Sequence, residues 1–205
     1  MLVYSDAGSG GVGTKSQTGC LIAWAGSTTL WRSGRQTSPA LSTCEAEVAA
    51  AALSWQIAEG IRSLLEEWGV KLYQPIVLVD NQSALKVAEF GGSWRTRYFA
   101  TRAHRLGQEH AQGHISLRYC QTTAMMADGL TKLASAEVMT KLRNCMNGEF
   151  PPIPGEESAM EGTDKCWWAL MVLRPEEQPN STDLSEEDQL ELIKTRKTPF
   201  KGKFR

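Results

Sequence analysis

Cysteine pairs are missing from this 205-residue chain: the five cysteines, at 20, 44, 120, 145 and 166, never fall in a CxxC spacing. A structural zinc site is therefore not expected. An odd number at scattered positions fits free thiols in a reducing compartment. Charge of one sign is missing too. The formal net charge is −1, so no overall basicity argues for a polyanionic partner. No apolar run approaches the roughly 20 residues that span a bilayer, and Cys166 to Leu173 falls far short of it. The N-terminus, MLVYSDAGSGG, has no basic region followed by a long apolar one, so no signal peptide is expected. No internal repeat is present. These absences lead us to expect a soluble intracellular monomer, cytoplasmic or nuclear, without membrane contact.

What the chain does contain is unevenly spread. Hydrophobic residues make up 41%, enough for a real core. Residues 1–150 carry 14 Lys+Arg against 12 Asp+Glu, and residues 151–205 carry 8 against 11. The boundary falls at Phe150-Pro151-Pro152-Ile153-Pro154-Gly155, which reads as a linker. We expect one domain over residues 1–148. Residues 149–205 read as linker and a largely disordered tail, with an acidic Glu186-Glu187-Asp188 block and a basic end from Lys194.

Within the first part, Leu2 to Asp6, Gly19 to Ala25 and Thr28 to Ser33 are short apolar runs separated by turn residues, the spacing of a β-meander. Ser42 and Glu45 have capping-box spacing before an Ala-rich run. There Val48, Ala51, Trp55, Ala58, Ile61 or Arg62, Leu65 and Trp68 recur every three or four residues, which predicts one long amphipathic helix. Gly69 is its expected stop. Ile76-Val77-Leu78-Val79 is continuously apolar, as in a parallel strand covered on both faces. A helix is expected over 84–90, a basic helix over 96–112, a half-buried strand over 115–119 and a last helix from about 124 to 144. Trp31, Trp55 and Trp68 are expected in the core, and Cys20, Cys44 and Cys120 as buried small hydrophobes.

Four acids occupy telling places. Asp6 ends the first strand, Glu47 lies in the first turn of the long helix, Asp80 ends the apolar strand and Asp128 starts the last helix. Sites in α/β sheets form at strand carboxyl ends and the helix starts beside them. Carboxylates crowded there repel unless a cation sits among them, and Mg²⁺, which takes oxygen ligands and pairs with phosphate, suits the place. Any one such acid is more often a plain turn or cap residue, and spacing alone does not bring them together.

The ordered motifs add to this. Val3-Tyr4-Ser5-Asp6-Ala7, Ser16-Gln17-Thr18-Gly19, Leu30-Trp31-Arg32-Ser33 with Gln36, Leu41-Ser42-Thr43-Cys44-Glu45-Ala46-Glu47, Val79-Asp80-Asn81-Gln82-Ser83-Ala84, and Ile115 to Tyr119 followed by Ala127-Asp128-Gly129-Leu130-Thr131-Lys132 stand in sequence. In this order residues 2–146 resemble the ribonuclease H domain of copia-type retrotransposon Pol polyproteins. The resemblance implies a ribonuclease H-like α/β fold, with a mixed five-stranded sheet (three antiparallel strands, then parallel strands) flanked by helices. It implies a metal-dependent endonuclease that hydrolyses the RNA strand of an RNA–DNA hybrid. Asp6, Glu47, Asp80 and Asp128 would be both catalytic and metal-binding. They would hold two Mg²⁺ ions, with Mn²⁺ as a substitute: Asp6 bridging, Glu47 and Asp80 on one, Asp128 on the other. Glu45 competes with Glu47. The A-E-V-A-A helix start, which also resembles retroviral relatives, favours Glu47 and leaves Glu45 to capping. A reverse transcriptase domain of the parent polyprotein is an implied partner, although Met1 stands directly before the first strand.

The chain departs from the family where K-H-I-D is usual: Arg97-Tyr98-Phe99-Ala100 stands there. His104 matches the family's second histidine, and no counterpart of the mobile histidine of bacterial and retroviral relatives is found. For substrate contact the candidates are Arg95, Arg97, Arg102, His104 and Arg105 on phosphates. Asn81, Gln82 and Ser83 are candidates at the 2′-OH, with helix capping as their plainer role. Two other readings stay open: a catalytically inactive nucleic-acid- or protein-binding remnant, and a nuclease of the same superfamily acting on DNA.

Overall fold

The computed structural model describes residues 1–10, 13–70, 72–94, 96–132 and 134–149. The tail expected after residue 149 and the apolar patch from Cys166 lie outside the described residues, as does Arg95. The chain opens with three strands, β1 (Leu2–Gly8), β2 (Gln17–Trp24) and β3 (Ser27–Arg35). The β2–β3 turn is Ala25-Gly26, with φ 52° and 75°. That pair of positive angles matches the twist of the strands it joins. Helix α1 (Thr43–Glu67) follows, then β4 (Ile76–Val79), α2 (Gln82–Phe90), α3 (Ala100–Ala111), β5 (Ser116–Tyr119) and α4 (Ala136–Met146).

The sheet order is β3-β2-β1-β4-β5. β1 pairs antiparallel with β2, and β2 with β3, while β4 runs parallel to both β1 and β5. This is the mixed ribonuclease H-like arrangement that the motifs imply. It puts β1 in the middle, with β4 buried at all four positions beside it.

Alternation along β1 sends side chains to two cores. Val3 packs with Cys20, Ile22, Val77 and Val79 under α1, through Val48, Ala51, Trp55 and Ala58. Leu2 and Tyr4 face the other layer, with Leu21, Leu78, Met125, Met126, Ala127, Leu142 and Cys145. The caps of α1 act as expected. Ser42 Oγ accepts from the Glu45 N–H, and Gly69 at φ 80° closes the far end while its N–H donates to Glu66 and that of Val70 to Leu65.

Several expectations need correction. The helix expected over 124–144 is broken. Thr122–Ala124 and Met126–Leu130 are 3-10 turns, and α4 begins at Ala136 behind a Ser135 cap. The basic helix starts at Ala100 rather than 96. Trp31 and Trp68 are not core; they are 58% and 71% exposed. Trp31 pairs with Leu21 but sits on the edge strand. Trp68 caps α1 one residue past its helical end, three residues beyond Leu65, the last buried core residue of the helix. Cys20 and Cys120 are buried as expected, and Cys44 only partly. Among the described residues no helix is long and apolar enough to cross a membrane.

Candidate metal centre

Asp6 and Asp80 meet because β1 and β4 are adjacent and parallel. Ser5 lies opposite Val79 in the register, so the two aspartates follow one step later on neighbouring strands. Glu47 comes from the first turns of α1, on the layer that covers the Val3 face. Gln36 fixes that helix start, donating through Nε2 to the Ala46 carbonyl at 2.9 Å. Asp6, Glu47 and Asp80 each bring a carboxylate oxygen within 4.8 Å of the other two. Asp6 and Glu47 are buried, at 1% and 6% exposure.

The surroundings hold these groups in place. The Thr131 hydroxyl donates to Asp6 Oδ2, and the Thr122 hydroxyl donates to Asp80 Oδ2 at 3.1 Å. The 3-10 turn that carries Asp128 and leads into Thr131 lies directly on β1 and β2. A Cβ on Gly8 would come within 2.5 Å of the Thr131 carbonyl oxygen. One on Gly19 would come within 2.6 Å of the Ala127 carbonyl oxygen. Only glycine permits that approach. Ser33 closes the turn from β3, donating to the Leu130 carbonyl at 2.5 Å.

Asp128 is not in the trio. Its Oδ1 is ion-paired with Lys132, four residues on and just past the 3-10 turn. Its charge still reaches Asp6, whose pKa is raised by burial and by Asp80 and Asp128, against the Thr131 hydrogen bond and Lys132. Glu47 is shifted further, up to about 8, by burial first and then by Asp6 and Asp80, with the Ala7 N–H and Lys132 acting the other way. Burial disfavours the Lys132 ammonium, but the Asp128 hydrogen bond and the charges of Asp6, Asp128 and Asp80 outweigh it and raise its pKa.

Such a pocket fits a divalent, oxygen-seeking cation. Glu47 Oε2 is buried with no hydrogen-bond partner among the described residues. An unpaired buried carboxylate oxygen is costly, and a cation shared with Asp6 and Asp80 would remove the cost. All the donors are carboxylates, the set Mg²⁺ and Mn²⁺ prefer over soft metals.

The substrate candidates are placed differently. Asn81 caps α2, accepting the Ala84 N–H at 3.0 Å. Gln82 and Ser83 are exposed beside Asp80. Arg97, Arg102 and His104 are exposed, and the Arg97 guanidinium lies 5.1 Å from the Tyr98 ring centre. Arg105 pairs with buried Glu109 at 2.6 Å and leans over Trp55. Glu45 accepts the Leu41 N–H at 2.7 Å, a capping role. Thr131, Thr122, Ser33, Gln36 and Lys132 were not among the expected site residues. Ser33, Gln36, Thr131 and Lys132 fall within motifs quoted above, which is the signal that could have found them, and Thr122 lies between the two halves of the last one.

No family model matches the chain. Over 147 residues it is 28% identical to the Transposon Ty1-ER2 and Ty1-MR2 Gag-Pol polyproteins of Saccharomyces cerevisiae, covering 70% of this chain. It spans about 8% of the length of those curated relatives. Among solved structures it is similar to ribonuclease H1 of the halophilic archaeon Halobacterium salinarum, at 16% identity over 63% of this chain and 92% of that one, TM-score 0.48. It is also similar to LC11 ribonuclease H1 in complex with an RNA/DNA hybrid, at 14% identity over 67% and 98%, TM-score 0.47. By its motifs, its strand order and the Ty1 match, this chain is a distant homologue of the Ty1, copia-type Gag-Pol polyproteins and carries a ribonuclease H-like fold.

Proposed function

We propose that this domain is a divalent-cation-dependent endonuclease that hydrolyses the RNA strand of an RNA–DNA hybrid, in the setting of retroelement reverse transcription. The observation that carries the reading is the buried convergence of Asp6, Glu47 and Asp80, with one Glu47 oxygen left without a partner. Asp6, Glu47 and Asp80 would hold one cation, and Asp6 with Asp128 a second. When bound, such cations supply charge stabilisation for the attacking and leaving oxygens of a phosphodiester.

The protein's own groups do the positioning. Thr131 orients Asp6, Thr122 orients Asp80 and the Ala7 N–H supports Glu47. A site held by such contacts keeps its oxygens where the chemistry needs them. Gln82 and Ser83, exposed next to Asp80, would meet the 2′-hydroxyl that distinguishes RNA. Arg97, Arg102 and His104 would take phosphates. Arg105, committed to Glu109, contributes less. Residues 1–148 form the catalytic unit in this reading, and residues 149–205 lie beyond it. A reverse transcriptase domain is the implied partner, and the domain itself is taken as a monomer.

A second reading, a binding remnant without activity, is favoured by one observation: Asp128 is paired with Lys132 and stands outside the trio. The two separate in one experiment. Purified protein is given labelled RNA–DNA hybrid, duplex DNA and duplex RNA with Mg²⁺ or Mn²⁺. Cleavage confined to the RNA of the hybrid is expected and is lost in D6N. Binding without cleavage sinks the enzyme reading, and cleavage of duplex DNA alone reassigns the substrate.

A further inference from the structure

The fourth acid and the lysine beside it have a consequence for how many cations the site can hold. Lys132 Nζ is ion-paired with Asp128 Oδ1, and Thr131, its chain neighbour, donates to Asp6. The ammonium is thus held on Asp128 by the residue next to the one that orients Asp6, close enough for its charge to be felt by Asp6, Asp80 and Asp128. Its charge acts on Asp6 and on Glu47, opposing the rise that burial and the neighbouring carboxylates impose on both. Asp128 is mostly covered, at 18% exposure, while the lysine side chain is 49% exposed, with solvent on its outer side.

The charges decide the rest. Four carboxylates balance two divalent cations. With the ammonium retained, one divalent cation leaves a small negative excess, and a second leaves a positive one. An ammonium within a few ångströms of a divalent ion is repelled strongly in a partly buried site. We propose that Lys132 is the built-in counter-ion of the acid cluster: it holds Asp128 apart from Asp6, Glu47 and Asp80, and a second divalent cation binds only as it displaces that ammonium. Lys132 is then a positioning residue, which sets the ion stoichiometry without touching substrate. The inference rests on the divalent-cation reading of the site.

The test uses the full chain and counts ions rather than turnover. Mn²⁺ is titrated by calorimetry and by electron paramagnetic resonance into wild type, K132M and K132R. Methionine keeps an unbranched apolar side chain of comparable length and removes the charge; arginine keeps the charge. Wild type is expected to take one Mn²⁺ tightly and a second much more weakly. K132M should bind the second about tenfold or more tightly, and K132R should resemble wild type. Without metal at low salt, K132M should melt below wild type, and Mn²⁺ should erase the difference. Equal Mn²⁺ binding by wild type and K132M overturns the proposal and leaves the cation reading standing. So does loss of Mn²⁺ binding in K132M alone, which would make the lysine a structural prop. If wild type takes no Mn²⁺, the cation reading falls first and this inference with it.

Discussion

The acids at the ends of β1 and β4 and the basic stretch from Arg97 to Arg105 differ in how their side chains are held. Asp6 and Glu47 are buried, and the trio is tied to Thr131, Thr122 and the Ala7 backbone. Arg97, Arg102 and His104 stand exposed on a helix and the turn before it. A cation demands oxygens at fixed positions, so its ligands belong on a buried strand end. A phosphate backbone is long, repetitive and negatively charged, so long cationic side chains can meet it from a solvated face without fixed geometry. Arg105 shows the boundary: its pairing with Glu109 takes it from the second group and makes it part of the scaffold around Trp55.

The sharpest way to break the comparison is at the trio. D6N or D80N should lower hybrid cleavage about a thousandfold or more, since several kcal/mol of charge stabilisation depend on those ligands. Circular dichroism should show both variants folded. More than a tenth of wild-type activity in either would detach these acids from the chemistry.

Next in size is a pH effect that the basic stretch should not share. Burial, with Asp6 and Asp80 nearby, pushes the Glu47 carboxyl up to about 8 from an ordinary value of 4.5. Between those values the folded protein keeps a proton that the unfolded chain has released. Metal-free stability should therefore fall as pH rises through that window, by roughly a few kcal/mol at most. Asp6, also raised, acts in the same sense. The buried Met1 amino group, lowered to about 6, opposes it. The clean measurement is the difference in melting temperature between wild type and E47Q from pH 5 to 8. It should widen with pH without metal and shrink with Mg²⁺. A constant difference would show that Glu47 is ionised throughout.

A third probe leaves every ligand in place. G19V pushes a side chain against the Ala127 carbonyl and Thr131 and should cost about 1–3 kcal/mol by overpacking. It should also weaken Mn²⁺ binding, because the strap that orients Asp6 must move. Unchanged melting and binding would show that the strap is not anchored there. The smallest effect is expected at the other region. R97A/R102A should weaken hybrid binding about tenfold and reduce the salt dependence by about one unit of slope per contact, with Mn²⁺ affinity unchanged. An unaltered salt slope would remove the two arginines from the interface.

Some of this was written plainly in the chain. Ile76 to Val79 is apolar without alternation because both faces of β4 are covered. Ser42 and Gly69 mark the ends of α1 because a helix terminus needs a side-chain acceptor at one end and a positive φ at the other. Glu45 has the capping place by its spacing from Ser42, and it accepts the Leu41 N–H there, while Glu47, two residues on, lies on the buried side of the helix. Local chemistry of this kind is complete within a few residues, so it can be read without the fold.

The rest needed the third dimension. Ala124 to Asn144 has the composition of one helix. Packing on Gly8 and Gly19 instead turns residues 126–130 into a 3-10 turn, with the Asp128 and Thr131 N–H groups donating three residues back. Trp31 and Trp68 look like core by size and apolarity, but one stands on the edge strand and the other at the C-cap of α1, and both are exposed. Four acids at strand ends and helix starts are a property of the sequence. That three converge while the fourth is held by Lys132 follows from the parallel register of β1 and β4 and the close seat of the 3-10 turn on two glycines. Those are contacts between residues far apart in the chain, and only the assembled sheet brings them together.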